Sequence, residues 1–281
     1  FRCDDSTDLL PYLKGLVIEI KKLECSRFLS ITVETGYSDP LAILESIHHP
    51  GQEVCYFERP AAEFSIACGD WVTKSTFSGA NRFANAKKWA HATFENTHMV
   101  GNHQYPGTGP TLFIAATFES ATSSTNSPEP LQIFLPRWQA LRRGGHNFII
   151  YNTEINALSS ALNIHKEFTD TVNRIKGMRY DTNGACNPRS IKVGPPAEKY
   201  DYEEAVKVAL KKISKENLSK VVLARQLRYE TSAELPVFSI AHDLREKFPD
   251  CYTFCLSLAK NEIMVGATPE TLLRATGSIF E

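Results

Sequence analysis

The first residue whose type and setting could support chemistry is a lysine in the C-terminal third of the chain. Lys220 opens the run Lys220–Arg225, which reads KVVLAR. In a β-strand, period-two alternation places Lys220 on the same face as Val222 and Ala224. Burial there would disfavour the ammonium form and lower the pKa of the lysine, so that it could remove a proton from water. The alternative interpretation is a solvated lysine at the start of a strand.

The second candidate is Glu270, in the sequence Gly266-Ala267-Thr268-Pro269-Glu270. The pattern predicts the start of a helix, with threonine as the N-cap, proline at the first helical position and glutamate in the first turn. Interpreted functionally, Glu270 is a carboxylic acid that donates a proton to a leaving hydroxyl. The alternative is an acidic residue favoured there by the helix dipole.

Basic and nucleophilic residues elsewhere give weaker signals. A ligand with two carboxylates would need guanidinium groups, which match carboxylate geometry. The candidates, each equally well interpreted as a surface residue, are Arg137, Arg142, Arg143 and Arg225. The eight histidines show no metal-ligand spacing, and the sequence has neither a nucleophile-elbow motif nor a phosphate-binding glycine motif.

Bulk properties exclude several classes of protein. The 281 residues carry a formal net charge of −1, so the basic excess of a nucleic-acid binder is absent. No apolar run is long enough to predict a membrane span, and the N-terminus has neither a signal-peptide pattern nor an initiator methionine. The seven cysteines include no CxxC pair and are interpreted as small hydrophobic residues in a reducing compartment rather than as disulfides or zinc ligands.

The elements that would position Lys220 and Glu270 follow a predicted linker at 181–196. Before it the pattern is mainly of strands, with helices at 80–95 and 157–176. Strands at 132–135 and 147–151 are predicted to form a hairpin around 142–145. After it we predict an amphipathic helix with a buried stripe from Tyr202 to Ile213. Further elements are then predicted, namely a strand at 219–229, a helix from Pro236 to Phe248, and strands at 251–259 and 262–265.

This order lacks the regular strand–helix alternation of a doubly wound fold. It predicts an α+β layered sandwich with large, mostly antiparallel sheets. We divide the chain into a sheet-rich region at 1–180 and a second region, expected to carry the chemistry, at 197–281.

Three segments together resemble a known family. They are SKVVLAR at 219–225, FPDCYTF at 248–254 and VGATPETLL at 265–273. The combination is similar to the chorismate-utilising enzymes, in the isochorismate synthase branch. The segments FLPRW at 134–138 and YFERP at 56–60 resemble the N-terminal sheet region of the same family.

The resemblance implies a substrate, a cofactor and roles for these residues. Lys220 would activate a water that attacks C2 of chorismate, and Glu270 would protonate the C4 hydroxyl as it leaves. Gly266, Ala267 and Thr268 would contact the substrate, and Mg²⁺ would hold its ring carboxylate. A salicylate synthase would share the lysine and stays an alternative.

The family's metal-binding glutamates are not found up to Glu281, so the resemblance places the Mg²⁺ ligands downstream of Glu281. We therefore expect this fragment alone to be inactive and its layered core to be incomplete. A truncated, non-catalytic chorismate-binding-like module of a larger protein is the second hypothesis. Chorismate is the expected partner, without nucleic acid or membrane. The expected location is the cytoplasm, or alternatively the plastid stroma, with the product used for menaquinone or siderophore synthesis.

Overall fold

The structure, a computed structural model, describes residues 6–49, 52–121, 129–179, 191–193, 201–215, 218–232, 234–259, 262–276 and 279–280. The chain forms two compact units. The larger contains Phe1–Asn183 with Val237–Glu281, and the smaller contains Gly184–Pro236. The predicted linker at 181–196 lies outside the described residues except for 191–193, which form a short strand.

The larger unit contains helices and strands in mixed order. Its α-helices are α1 (Ser6–Leu23), α2 (Pro40–Ile47), α3 (Arg82–Glu95), α4 (Ala161–Ile175) and, beyond the smaller unit, α6 (Val237–Lys247). Its strands up to Asn183 are β1 (Arg27–Thr35), β2 (Val54–Arg59), β3 (Phe64–Gly69), β4 (Thr73–Thr76), β5 (Thr97–Gly101), β6 (Phe113–Ala116), β7 (Leu131–Leu135), β8 (Trp138–Arg143) and β9 (His146–Ile155). Its later strands are β12 (Tyr252–Ala259), β13 (Glu262–Thr268), β14 (Ala275–Thr276) and β15 (Ile279–Phe280).

One large sheet organises this unit. Its strand order is β13-β12-β2-β3-β8-β9-β1-β5, and every neighbouring pair is antiparallel except β1 with β5. The predicted α+β class with a large, mostly antiparallel sheet is therefore confirmed. Of the described helices, none is both long and apolar enough to cross a bilayer.

Helices cover one face of this sheet and build most of the core. At one end, α1 and α4 pack on β1 and β9 through residues such as Leu13, Ile31 and Phe168. Further along the sheet, α2 and α6 pack on its central strands. The opposite face carries the buried thiols Cys55 and Cys68, which pack with Phe134 of the three-stranded sheet β4-β7-β6.

Three of the described cysteines, Cys55, Cys68 and Cys255, are buried, as predicted for small hydrophobic residues. Cys25, Cys55, Cys68, Cys251 and Cys255 are all free thiols. Burial raises the pKa of Cys255 to about 12, which keeps it a neutral apolar group. Cys3 and Cys186 lie outside the described residues.

The predicted hairpin around 142–145 is present, but its first strand is β8 rather than the run at 132–135. Arg142 pairs with Asn147 and Arg143 with His146, so that Gly144 and Gly145 form the two-residue turn. Their φ angles of 54° and 79° are the left-handed values that a tight hairpin turn requires. The run at 132–135 is β7, which belongs to the three-stranded sheet instead.

The smaller unit contains α5 (Tyr202–Lys215) and a pair of short antiparallel strands, β10 (Ile191–Val193) and β11 (Tyr229–Thr231). The predicted amphipathic helix is thus present, but the predicted burial of its stripe is wrong, because none of its residues is buried and Leu210 is 60% exposed. The predicted strand at 219–229 is also wrong, since 220–228 have no regular structure and pairing begins only at Tyr229.

Gly101 gives a direct test of the one parallel strand pairing. Its φ is +87°, and a Cβ added there would lie 2.0 Å from the carbonyl oxygen of Thr32. We expect Gly101→Ala to lower the free energy of unfolding by at least about 1–3 kcal/mol, because backbone atoms must move. Gly15→Ala is the matched control: Gly15 lies in α1 with no atom within 4 Å of the added Cβ, so it should stabilise by about 0.5–1 kcal/mol. Equal urea-unfolding midpoints for the two variants would contradict this packing.

Candidate active site

The predicted substrate-contacting residues lie together at the end of an edge strand of the large sheet. In β13, Gly266 pairs with Phe254, Ala267 with Thr253 and Thr268 with Tyr252. The packing at Gly266 is close: an added Cβ would lie 2.9 Å from Cζ of Phe254, so that ring would have to shift.

Glu270 follows this strand directly, but the predicted helix start at 268–270 is wrong. Residues 269–274 form no helix, and Glu270 is exposed. The hydroxyl of Thr268 nevertheless accepts a hydrogen bond from the backbone N–H of Glu270 at 3.2 Å. The threonine therefore makes the local contact expected of a cap, while the chain continues as a turn that projects Glu270 from the strand end.

Lys220 belongs to the smaller unit. Its side chain is exposed and lies outside any strand, so within that unit it lacks the burial that its predicted role requires. On the same segment, the guanidinium carbon of Arg225 lies 5.1 Å from the ring centroid of Tyr202, a cation–π contact.

The other candidate arginines have structural contacts in the larger unit. Arg142 donates to Oε1 of Glu58 at 2.9 Å and to the hydroxyl of Tyr37 at 3.2 Å. Arg143 donates to the carbonyl of Pro106. Arg137 contributes its carbonyl oxygen, which accepts from the backbone N–H of Asn152.

A buried charge cluster links α2, β2 and α6, and the sequence did not reveal it. Arg245 makes a two-bond contact with the carboxylate of Asp39, with distances of 2.7 and 3.0 Å. The same guanidinium donates to Oε2 of Glu58 at 3.0 Å. The hydroxyls of Tyr56 and Ser65 also donate to this oxygen. Both carboxylates are therefore fully hydrogen-bonded, as buried charges must be.

The pKa values in this cluster follow from burial and pairing. Burial alone would raise the pKa of Asp39, but the hydrogen bonds and charge of Arg245, helped by Arg142, outweigh it and lower that pKa. Burial and the charge of Glu58 raise the pKa of Tyr56 well above its usual value. Burial would lower the pKa of Arg245, but its acidic neighbours raise it, so the guanidinium stays charged.

One signal in the sequence could have found part of this cluster. Arg245 falls four residues after Ala241 and therefore on the core-facing stripe of α6, where a charge needs a partner. Asp39 precedes Pro40, the pattern of an N-cap, and its side chain does accept from the backbone N–H of Leu41. Nothing in the pattern indicates that these two positions meet.

The described residues do not provide a metal site. No group of three histidine, cysteine, aspartate or glutamate side chains among them is placed to hold an ion. The predicted Mg²⁺ requirement therefore stays a prediction.

Comparisons with known proteins place the chain in a family. Residues 15–280 match the family described as chorismate binding enzyme. The solved structure of MenF, the menaquinone-specific isochorismate synthase from Escherichia coli, is similar, with a TM-score of 0.59 and 16% identity over 96% of this chain. A putative 2,3-dihydroxybenzoate-specific isochorismate synthase, DhbC from Bacillus anthracis, gives a TM-score of 0.47 and 18% identity over 85% of this chain and 50% of its own.

The similarity to MenF covers only part of that protein. The chain spans 56% of the MenF chain, and no curated protein sequence matches it. The MenF likeness supports the layered α+β fold, while the family match extends over nearly the whole sequence. The chain therefore belongs to the chorismate-binding enzyme family.

Proposed function

We propose that the protein containing this chain is an isochorismate synthase, which isomerises chorismate to isochorismate. The observation that carries the proposal is the family match over residues 15–280, which includes Lys220 and Glu270 in their motifs. The MenF-like fold supports it, because that protein is itself an isochorismate synthase.

In the proposed reaction Lys220 is the general base and Glu270 the general acid. Lys220 takes a proton from a water whose oxygen attacks C2 of the ring. The ring double bonds shift, and the C4 hydroxyl leaves as water with a proton from Glu270. One water enters and one leaves, so that the product is an isomer. Gly266, Ala267 and Thr268 would form the wall beside the acid. Mg²⁺ remains the proposed cofactor, and no step here depends on it.

The proposal requires both side chains to be enclosed when the reaction occurs. A lysine acts as a base near neutral pH only when its ammonium form is disfavoured, and Lys220 is exposed within its own unit. Glu270 is exposed too. This exposure is the one observation that favours the second candidate function, a non-catalytic module that retains the motifs without the enclosed site.

Product analysis separates these functions. The complete polypeptide that contains this chain should convert chorismate, with Mg²⁺ present, into isochorismate detected by chromatography. Chelation by EDTA should stop the conversion, and added Mg²⁺ should restore it. Salicylate with pyruvate as the end product would instead indicate the salicylate synthase reaction. Unchanged chorismate under all these conditions would favour the non-catalytic module.

The remaining parts of the proposal concern the setting of the protein. We propose chorismate as its small-molecule partner and the cytoplasm as its location. The product would feed menaquinone or siderophore synthesis, and comparing growth of a deletion strain with and without each end product identifies which pathway is interrupted.

A further inference from the structure

A cavity beside the buried charge cluster combines charged walls with a surplus of hydrogen-bond donors. It has a volume of about 360 Å³ and is lined by Tyr37, Asp39, Arg179, His242 and Arg245. All five residues belong to the larger unit, and the cavity involves neither Lys220 nor Glu270. Two of its walls, Asp39 and Arg245, are charged side chains only 5% and 6% exposed, so the site is backed by a rigid, buried ion pair.

The buried part of the lining is neutral and already satisfied. Both oxygens of Asp39 accept from Arg245, so this carboxylate offers little to a ligand. Nδ1 of His242 lies 3.0–3.2 Å from two guanidinium nitrogens of Arg245, which can only donate. Nδ1 therefore accepts from the guanidinium in these contacts.

The outer part of the lining supplies positive charge and donors. The guanidinium carbon of Arg179 lies 5.3 Å from the ring centroid of Tyr37, and no carboxylate among the described residues pairs with this arginine. The hydroxyl oxygen of Tyr37 accepts from Arg142, so its own proton is left to donate. The net charge of the cavity lining is therefore positive, and Arg179 and Tyr37 offer hydrogen-bond donors to a ligand.

We propose that this cavity binds a small carboxylate anion. A guanidinium offers a planar pair of N–H groups that fits a carboxylate, and the Tyr37 hydroxyl adds a third donor. A second cavity of about 340 Å³ shares Tyr37, Asp39 and Arg245 with the first. Its lining sets two arginines, Arg142 and Arg245, against more carboxylates, namely those of Asp39, Glu58, Glu63 and Glu246, so it repels anions. The anion is therefore expected in the first cavity, beside Arg179.

The test is a calorimetric titration with benzoate at constant ionic strength, with neutral benzamide as the isosteric control. Benzoate should bind saturably and benzamide should not. Arg179→Gln should weaken benzoate binding about tenfold or more, and Tyr37→Phe, which keeps the ring, should weaken it by a smaller factor. Arg174→Gln, an exposed arginine on α4, is the matched control and should bind like the parent.

Three other outcomes would overturn the proposal that this cavity binds a carboxylate. Absence of saturable binding would do so, as would equal affinity for benzoate and benzamide. An Arg179→Gln protein that binds benzoate as tightly as the Arg174→Gln protein would also remove the assignment. Arg179 is exposed, so its replacement should leave the fold intact, which circular dichroism checks. The result is independent of the proposed chorismate reaction.

Discussion

Lys220→Ala is expected to reduce isochorismate formation by the complete protein by about 10²–10⁴-fold, because the proposed reaction loses its general base. Glu270→Gln should reduce it by a similar factor, since an amide cannot donate the proton that the leaving hydroxyl needs. Initial rates from a coupled assay at saturating chorismate measure both effects directly.

Two control variants separate chemistry from charge and folding. Lys211→Ala removes an exposed lysine from α5 in the same unit as Lys220, and Glu262→Gln removes an exposed carboxylate from β13, the strand that precedes Glu270. Both should keep near-parental rates. Because Lys220 and Glu270 are themselves exposed, their variants should unfold at the parental temperature. A Lys220→Ala protein with the parental rate would remove the assigned base.

Arg245→Met is expected to lower the free energy of unfolding by about 3–5 kcal/mol, because Asp39 and Glu58 would stay buried without their shared guanidinium. Urea unfolding at neutral pH measures this loss. The control is Arg174→Met, which removes an exposed arginine and should change stability by less than about 0.5 kcal/mol. Equal losses in the two variants would show that the cluster contributes nothing to stability.

The pH dependence of this loss has a definite sign. The pKa of Asp39 is lowered in the folded protein, so its ionised form contributes stability above the unfolded aspartate pKa of about 3.9. That contribution disappears as the pH falls through the lower, folded value. Without Arg245 the strongest contributions that lower the pKa of Asp39 are lost, and burial, which raises that pKa, is then opposed by the charge of Arg142 and the hydrogen bond from the backbone N–H of Leu41. The stability difference between parent and variant should therefore be largest near neutral pH and shrink as the pH falls below about 4.

Local patterns accounted for much of the fold. The two glycines at 144–145 predicted a tight hairpin turn, and both adopt the left-handed φ that other residues avoid. The alternating run before Lys260 and the short run after Asn261 predicted neighbouring strands, which appear as β12 and β13. These elements are determined by residues close in sequence, so they can be predicted without knowledge of the tertiary structure.

The features that the sequence did not reveal depend on distant residues. Asp39 and Arg245 meet only because the sheet brings α2 and α6 together, and neither local pattern encodes that approach. Conversely, the run at 219–229 has the β-branched composition of a strand, but pairing determines whether such a run becomes one. Among the residues of the smaller unit that the structure describes, only Tyr229–Thr231 pairs, with Ile191–Val193.

Of the candidate site, the succession of a strand and then Glu270 was predictable, because the residues are consecutive, but the strand was predicted to end at Val265 and it continues to Thr268. The enclosure of Lys220 was not, since burial is a property of the assembled fold. The family motifs identified which lysine and glutamate to consider, whereas composition alone also allowed a solvated lysine and a dipole-stabilised glutamate.

Isotope transfer from solvent tests the proposed chemistry most directly. When the complete protein converts chorismate in ¹⁸O-labelled water, mass spectrometry should find one ¹⁸O in each isochorismate, located in the new hydroxyl at C2. That label can enter only if a solvent water is the nucleophile, which is the step that the proposed base Lys220 serves. Unlabelled isochorismate would show that the original hydroxyl moved within the substrate, and it would contradict the assigned base.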